Sequence, residues 1–292
     1  MNAVMEQNIT VRECLQNGIR FLKARRVPEA RISAEYLLAY LLKQPRVFLY
    51  VESSAQLGPE LQDEYQRLLD RRARRVPVQY LVGTVPFRNT TLHVGPGCLI
   101  PRPETEILAD VVLRTLGPEP IRVLDVGTGS GNIAVSLAVE RPAWHVVATD
   151  VSRSALRYAE QNAIENGVEN RVRFVHTDLW AHVQTDAFDG FISNPPYLNE
   201  RELAALEPEV SFEPEEALWG SSDGLYFYRK MISGVREVLR PGGTVFLEVG
   251  FDQADPVSDL LRTGGFQRIS AVRDYAGVKR VVSAQLKEVS RG

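Results

Sequence analysis

Cysteine is almost missing from this sequence. Cys14 and Cys98 are the only two in 292 residues, too few for a disulfide framework or a cysteine-ligated zinc cluster. Histidine is nearly as scarce. His93, His145, His176 and His182 stand apart with no metal-ligand spacing, so no metal site is expected. No stretch approaches the roughly 18 consecutive apolar residues of a membrane span. The opening "MNAVMEQNITVRECLQNG" carries Glu6 and Glu13 and lacks an apolar run. It does not read as a secretory leader or an Arg-rich transit peptide. The expectation is a cytoplasmic protein with no membrane partner.

A large basic tract is also lacking. The net charge is −3, yet residues 1–85 hold 13 Lys and Arg against 9 Asp and Glu, and the remainder 21 against 28. Neither part is charged like a general nucleic-acid binder. What the chain does have is 44% hydrophobic and 24% charged residues, which suits one large or two ordinary globular domains.

Residues 1–85 read as a small helical bundle. Val11, Cys14, Leu15, Ile19 and Leu22 recur at helical spacing, as do Ile32, Leu37, Leu38, Leu41 and Leu42. "GPELQDEYQRLLDRRARR" opens with Pro59, favoured at a first helical position, and offers Leu61, Tyr65, Leu68 and Leu69 for burial. Residues 86–100 alternate Thr, Val and Leu until Gly95-Pro96-Gly97, and read as a hairpin linker. Residues 101–292 then alternate strands ("IRVLDVG", "WHVVATDV", "VRFVHTDL", "FDGFISNPP", "GGTVFLEVG") with helices. That order predicts an α/β domain with a parallel sheet covered on both faces.

"VLDVGTGSGN" places Gly127, Thr128, Gly129, Ser130 and Gly131 between the first of these strands and its helix. Glycines there let a ligand approach the backbone where a Cβ would obstruct it. The spacing is G-x-G-x-G, not the G-x-G-x-x-G of a dinucleotide site, which speaks against a nicotinamide dehydrogenase. Asp150 closes the next strand, where a carboxylate can accept from both hydroxyls of a ribose; it could equally be a charge at a helix N-terminus. Asp125 reads equally well as a structural carboxylate bonded to loop amides. Asp178 and Trp180 close the third strand. There Asp178 could accept from an exocyclic amine and Trp180 could flank a flat base; the plainer alternative is a turn with a core tryptophan.

The fourth strand ends in "ISNPPY", Ile192 to Tyr197. A planar NH₂ is a poor nucleophile because its lone pair is delocalised. A site localises that pair by holding both N–H bonds with acceptors. Asn194 has a side-chain carbonyl. Pro195 has a backbone carbonyl and no competing N–H, and Pro196 stiffens it. Tyr197 can stack on the planar group. The remaining requirement is to hold the nitrogen about 3–3.5 Å from its electrophile. A rigid turn with no ligand is the plainer alternative.

"DVGTGSGN", "ATD" and "NPPY" together resemble an S-adenosylmethionine-dependent methyltransferase of the amino-methylating kind. "RRARRVPVQYLVG", "LIPRPETE", "NPPYL", "FEPEEALWGSSDGLYFYR" and "LRPGGTVFLEVGFDQA" narrow the resemblance to the release-factor glutamine methyltransferase family, from about residue 30 onward. "PRPETE" is similar to this family rather than to its paralogue acting on a ribosomal protein. The resemblance implies a Rossmann-like methyltransferase sheet, mostly parallel with an antiparallel last strand, joined by a β-hairpin to the helical bundle. It implies methyl transfer from S-adenosylmethionine to the amide nitrogen of the glutamine in the Gly-Gly-Gln motif of peptide chain release factors. Gly127 to Gly131, Asp150, Asp178 and Trp180 would bind the cofactor, with Arg102, Glu104 and Thr105 closing over it. Asn194 would lie between cofactor and substrate, and Asn194, Pro195, Pro196 and Tyr197 would hold the glutamine. The hairpin "TVPFRN" departs from the family's Glu-Phe-aromatic-Gly pattern.

Rival readings are an adenine amino-methyltransferase acting on DNA or RNA, a ribosomal-protein glutamine methyltransferase, and a non-catalytic cofactor-binding module. The expected partner is the Gly-Gly-Gln domain of a release factor, with a monomeric enzyme and no direct nucleic-acid substrate. Glu200, Glu202, Glu207, Glu209, Glu213, Glu215 and Glu216 face only Arg201 in their stretch, and read as a surface that steers a basic partner. Arg67, Arg71, Arg72, Arg74 and Arg75 read as a solvated helix end.

Overall fold

The computed structural model describes residues 8–183 and 188–287; the stretch around Glu6, read above as no leader, lies outside them. The chain divides into two compact units. One holds the described residues up to Gly83 together with Glu207–Phe212. The other holds Thr84–Leu206 and the residues from Glu213 onward.

The first unit is helical: α1 (Val11–Ala24), α2 (Ala30–Leu42), α3 (Phe48–Val51), α4 (Pro59–Ala73) and α5 (Val78–Val82), with the short strands β1 (Ile9–Thr10) and β2 (Gln56–Leu57) paired antiparallel. Thr10 caps α1 through a reciprocal box with Glu13, which occupies otherwise orphaned amides. Val11, Cys14, Leu15 and Leu22 of α1, Leu37 and Leu38 of α2, and Tyr65 and Leu69 of α4 share one core. Gly18 lets α1 close onto α4: a Cβ there would stand 2.3 Å from the Tyr65 hydroxyl oxygen. That hydroxyl donates to the Ala34 carbonyl at 3.0 Å. Ile32 is not part of this core and stays exposed.

Two features of this unit correct the charge readings. Arg72 is buried, donates to Ser33 Oγ at 3.1 Å and pairs with Glu209 at 2.8 Å. Arg75 joins the same carboxylate at 2.7 Å and reaches Glu207 at 3.3 Å. Two members of the arginine run are therefore bound, not solvated, and two of the seven glutamates are neutralised within the unit.

The second unit opens with the hairpin β3 (Thr84–Phe87) and β4 (Thr90–His93); Gly95 to Gly97 lie beyond it in a turn. There follow α6 (Thr105–Thr115), β5 (Arg122–Val126), α7 (Asn132–Glu140), β6 (His145–Asp150), α8 (Arg153–Glu165), β7 (Val172–His176) and β8 (Phe188–Ser193). Then come α9 (Glu200–Ala204), α10 (Tyr226–Gly234), β9 (Leu239–Glu248), α11 (Ala254–Thr263), β10 (Phe266–Arg273) and β11 (Lys279–Leu286).

Seven strands form one sheet in the order β10-β11-β9-β8-β5-β6-β7. From β7 to β9 the pairing is parallel, and β11, the last strand in sequence, inserts antiparallel between β9 and β10. This is the mostly parallel sheet with an antiparallel last strand that the resemblance implied. The central strands β5, β6 and β8 are buried on both faces, so successive residues feed two cores. Val123, Val146, Ile192 and Phe246 face α6 and α7, whereas Leu124, Val147, Phe191 and Leu247 face α10 and α11. The first strand of this sheet, β5, has β6 on one side and β8 on the other. Strand order reverses there, which opens a crevice beyond the carboxyl ends of these strands.

Candidate functional site

The crevice is a cleft whose lining comes entirely from the second unit. It encloses about 1020 Å³, solvent at its open mouth included. Register puts its polar residues together. Val126 pairs with Thr149 and with Ser193, and Asp150 with His176. Gly127, Asp150, Asp178 and Asn194 thus project from neighbouring strand ends into one space, and all four line it.

The glycine loop is held from both ends. Gly127 and Thr128 donate their amides to the Thr149 carbonyl at 2.9 Å, and Gly129 donates to Asp150 Oδ2 at 2.8 Å. Gly127 and Gly129 have φ of +73° and +56°, and a Cβ on either would meet no protein atom within 4 Å. Both expose backbone to the cleft, with Thr128 and Ser130 between and beside them. Gly131 differs. It does not line the cleft, and a Cβ there would stand 3.1 Å from that of Ala159 on α8. Its absence of side chain lets two helices close together.

Asp150 spends one lone pair of each oxygen on a backbone amide, of Gly129 and of Ser152, both at 2.8 Å. An ionised carboxylate has about four acceptor positions, so capacity remains for two hydroxyls. Burial holds its pKa up, against the pull of the Ser152 and Gly129 amides. Asp125 does not line the cleft. It is fully buried, accepts from Thr128 Oγ1 at 2.6 Å, and burial pushes its pKa up to about 7. Asp178 lines the cleft and takes Lys230 Nζ at 2.8 Å.

Trp180 is the clearest departure from the sequence reading. Its indole stacks edge-on against Phe191 at 5.4 Å, donates to Glu237 at 3.4 Å and sits in the core beneath α10. Leu179, in a left-handed backbone at φ 51°, lines the cleft in its place. With Ile133, Val151, Phe227 and Met231 it gives the cleft an apolar wall suited to a flat base. Phe227 and Met231 lie in a stretch whose side chains sequence reasoning did not separate.

Asn194, Pro195 and Pro196 line the cleft. Asn194 Nδ2 donates to Thr105 Oγ1 at 3.2 Å, which leaves its Oδ1 with no protein donor among the described residues. The backbone after it is clamped. A Cβ on Gly220 would stand 2.7 Å from the Pro196 carbonyl oxygen, and one on Gly224 would stand 2.3 Å from that of Tyr197. Gln253 Nε2 donates to the Tyr197 carbonyl at 2.8 Å. Tyr197 itself packs on the core under α10 and does not line the cleft; burial pushes its hydroxyl up to about 12. The two clamping glycines were quoted in the sequence but not recognised as part of the site.

Where the chain enters α6, Arg102 and Thr105 line the cleft and Glu104 does not. Arg102 donates to Glu213 at 2.6 Å, and the same carboxylate accepts the Ile100 amide at 2.9 Å. Glu213 is buried. It therefore braces the cleft rim and cannot steer a partner, which corrects its place in the acidic surface.

The residues present fit S-adenosylmethionine. Two left-handed glycines leave open backbone, Asp150 retains acceptor capacity for a ribose, and apolar side chains wall the space for a base. The acidic side chains Asp150, Asp178 and Glu216 around the cleft complement a cationic sulfonium.

Comparison with known proteins agrees. Residues 13–83 match the PrmC N-terminal domain and residues 104–208 the methyltransferase small domain. A release factor glutamine methyltransferase of Moorella thermoacetica is 38% identical over 96% of this chain and 100% of that protein. One of Geobacter sulfurreducens is 38% identical over 95% of this chain and 97% of its own length. A solved methyltransferase from Pyrococcus furiosus, 19% identical, covers 75% of this chain and 99% of its own with a TM-score of 0.54, a likeness of fold.

Proposed function

Because this chain belongs to the release factor glutamine methyltransferase family, we propose that its cleft residues divide between holding S-adenosylmethionine and presenting a glutamine amide. The protein is an S-adenosylmethionine-dependent enzyme that methylates the side-chain amide nitrogen (N5) of the glutamine in the Gly-Gly-Gln motif of peptide chain release factors. S-adenosylmethionine supplies a methyl group activated on a sulfonium. Gly127, Thr128, Gly129 and Ser130 line its amino-acid side with backbone, Asp150 takes the ribose hydroxyls, and Leu179 with Ile133 and Val151 takes the base. Arg102 and Thr105 bound the mouth.

The observation that carries the substrate half is the commitment of Asn194 Nδ2 to Thr105. It leaves Oδ1 as an acceptor in the cleft that Pro195 also lines, and in this reading that oxygen and the Pro195 carbonyl take both N–H bonds of a primary amide. Held this way, the nitrogen's lone pair would turn out of conjugation and become nucleophilic, and its surplus proton would pass to solvent water. Tyr197 packs against the core, and its backbone carbonyl, held by Gln253 Nε2, fixes the chain that follows Pro195 and Pro196. In this reading the enzyme works as a monomer in the cytoplasm on the Gly-Gly-Gln domain and takes no nucleic-acid substrate directly. Among the described residues no helix is long and apolar enough to cross a membrane.

Asn194→Ala tests the assignment. The expected result is a fall in kcat of about 10²–10³-fold, the effect of losing one positioned hydrogen-bonding group, with the cofactor Kd within about threefold of the parent. A loss of cofactor affinity equal to the loss of turnover would remove Asn194 from the substrate side.

A further inference from the structure

Helix α8 carries a polar stripe. Ser154, Tyr158 and Asn162, with the cap residue Asn166, stand at four-residue spacing and so share one face. The chain from Thr91 to Gly97 runs along that face in the opposite direction. Asn166 Nδ2 donates to the Thr91 carbonyl at 3.2 Å, and Ser154 Oγ to that of Gly97 at 3.1 Å. Between these ends a Cβ on Gly95 would stand 2.2 Å from the Tyr158 hydroxyl oxygen, and His93 Nε2 lies 2.6 Å from Glu165 Oε2. Together they anchor the hairpin to α8.

Asn162 reaches further than its neighbours in the stripe. It is 0% exposed. Its Oδ1 accepts the His93 amide at 2.6 Å, and its Nδ2 donates to the His93 carbonyl at 3.0 Å and to the Ser130 carbonyl at 2.9 Å. Both amide protons are spent. Reversing the amide would set its NH₂ against an N–H and its oxygen against two carbonyls. One buried side chain thus joins the end of β4 to the glycine loop. Ser130 lines the cleft, whereas Asn162 does not.

The peptide plane that Asn162 holds is one the chain itself constrains little. Rotating the Ser130–Gly131 plane changes ψ of Ser130 and φ of Gly131, and glycine accepts either sign of φ. Gly131 has φ +78° and donates its amide to the Thr128 carbonyl at 2.9 Å. Turned over, the plane would break that bond and carry the Ser130 carbonyl away from Asn162. We infer that Asn162 is a positioning residue for the cofactor: by tying the Ser130 carbonyl to the end of the hairpin, it keeps the glycine loop in the conformation that receives S-adenosylmethionine. This rests on the assignment of Gly127 to Ser130 to the cofactor. A loop that is competent for only part of the time binds more weakly by that fraction. At saturation the ligand itself holds the loop, so kcat is spared.

The test applies calorimetric cofactor titration, thermal unfolding and methylation of a release factor at saturating S-adenosylmethionine to the full chain. Asn162→Ala is expected to raise the cofactor Kd at least tenfold, with kcat within about threefold of the parent. Asn162→Ser, whose hydroxyl spares part of the lost polar contact, takes its place if the alanine variant does not fold, and is expected to raise Kd at least threefold. Asn166→Ala loosens the same hairpin without touching the loop, so its Tm is expected to fall with Kd kept within twofold. A merely structural Asn162 would behave as Asn166 does. A cofactor Kd within twofold of the parent in the folded Asn162 variant, or an Asn166→Ala loss of affinity equal to that of Asn162→Ala, overturns the inference while weakened binding by Gly129→Ala keeps the loop as the cofactor site. Unchanged binding by Gly129→Ala overturns both.

Discussion

Asn194 sits where a buried strand stops and two prolines begin, and its neighbours dictate which of its amide atoms is left for a ligand. That much was legible in "NPPY", because proline's missing donor and fixed φ are properties of the residue itself. The contact that orients Asn194 was not legible, because Thr105 stands 89 residues away and only the fold brings the two together. Trp180 was misread for a local reason. Leu179 takes a left-handed backbone that non-glycine residues rarely adopt, and the indole enters the core while the leucine faces the cleft. Trp180→Ala is accordingly expected to lower stability by about 3–5 kcal/mol, as large aromatic deletions in cores do, with the cofactor Kd of the folded protein unchanged within twofold. Denaturant unfolding and a calorimetric cofactor titration separate the two. Lost affinity with stability kept would return Trp180 to the site.

Among the elements, the alternation of strand and helix after residue 100 was readable because buried parallel strands appear as apolar runs bounded by turn residues. The antiparallel last strand came from the resemblance, whereas its insertion between β9 and β10 was not legible, since no local pattern records which neighbour a strand chooses. The glycine loop shows how one motif serves two purposes. Gly129→Ala places a methyl group in the cleft and forces a left-handed alanine, at about 1–2 kcal/mol. It is expected to weaken cofactor binding at least tenfold with a small drop in Tm. Gly131→Ala meets the same backbone strain and also Ala159 across the helix packing, so its drop in Tm is expected to be the larger and its loss of affinity the smaller. Thermal unfolding and cofactor titration of the two variants side by side check this. The reverse order would assign Gly131, not Gly129, to the ligand.

For the whole molecule, charge was the least informative sequence signal. Residues 1–85 carry excess basic charge and the remainder excess acidic charge, which invited a steering surface in the acidic stretch and a solvated helix end in the arginine run. In the structure Arg72 and Arg75 bind Glu209, Arg75 also reaches Glu207, and Glu213 is buried under Arg102. A charge count along the chain does not distinguish an ion pair from a solvated side chain, so these roles become visible only in three dimensions. The reaction was more legible than the surfaces, because a glycine loop, a strand-end acid and an Asn-Pro-Pro-Tyr turn each carry chemistry in their residue types. The measurement that tests this account most directly is transfer of labelled methyl from S-adenosylmethionine to a bacterial release factor. Its control is the same factor with the Gly-Gly-Gln glutamine replaced by alanine. The account predicts label on the first, located at the glutamine side-chain amide, and none on the second. Equal label on both, or label only on adenine when nucleic acid is supplied instead, would contradict it.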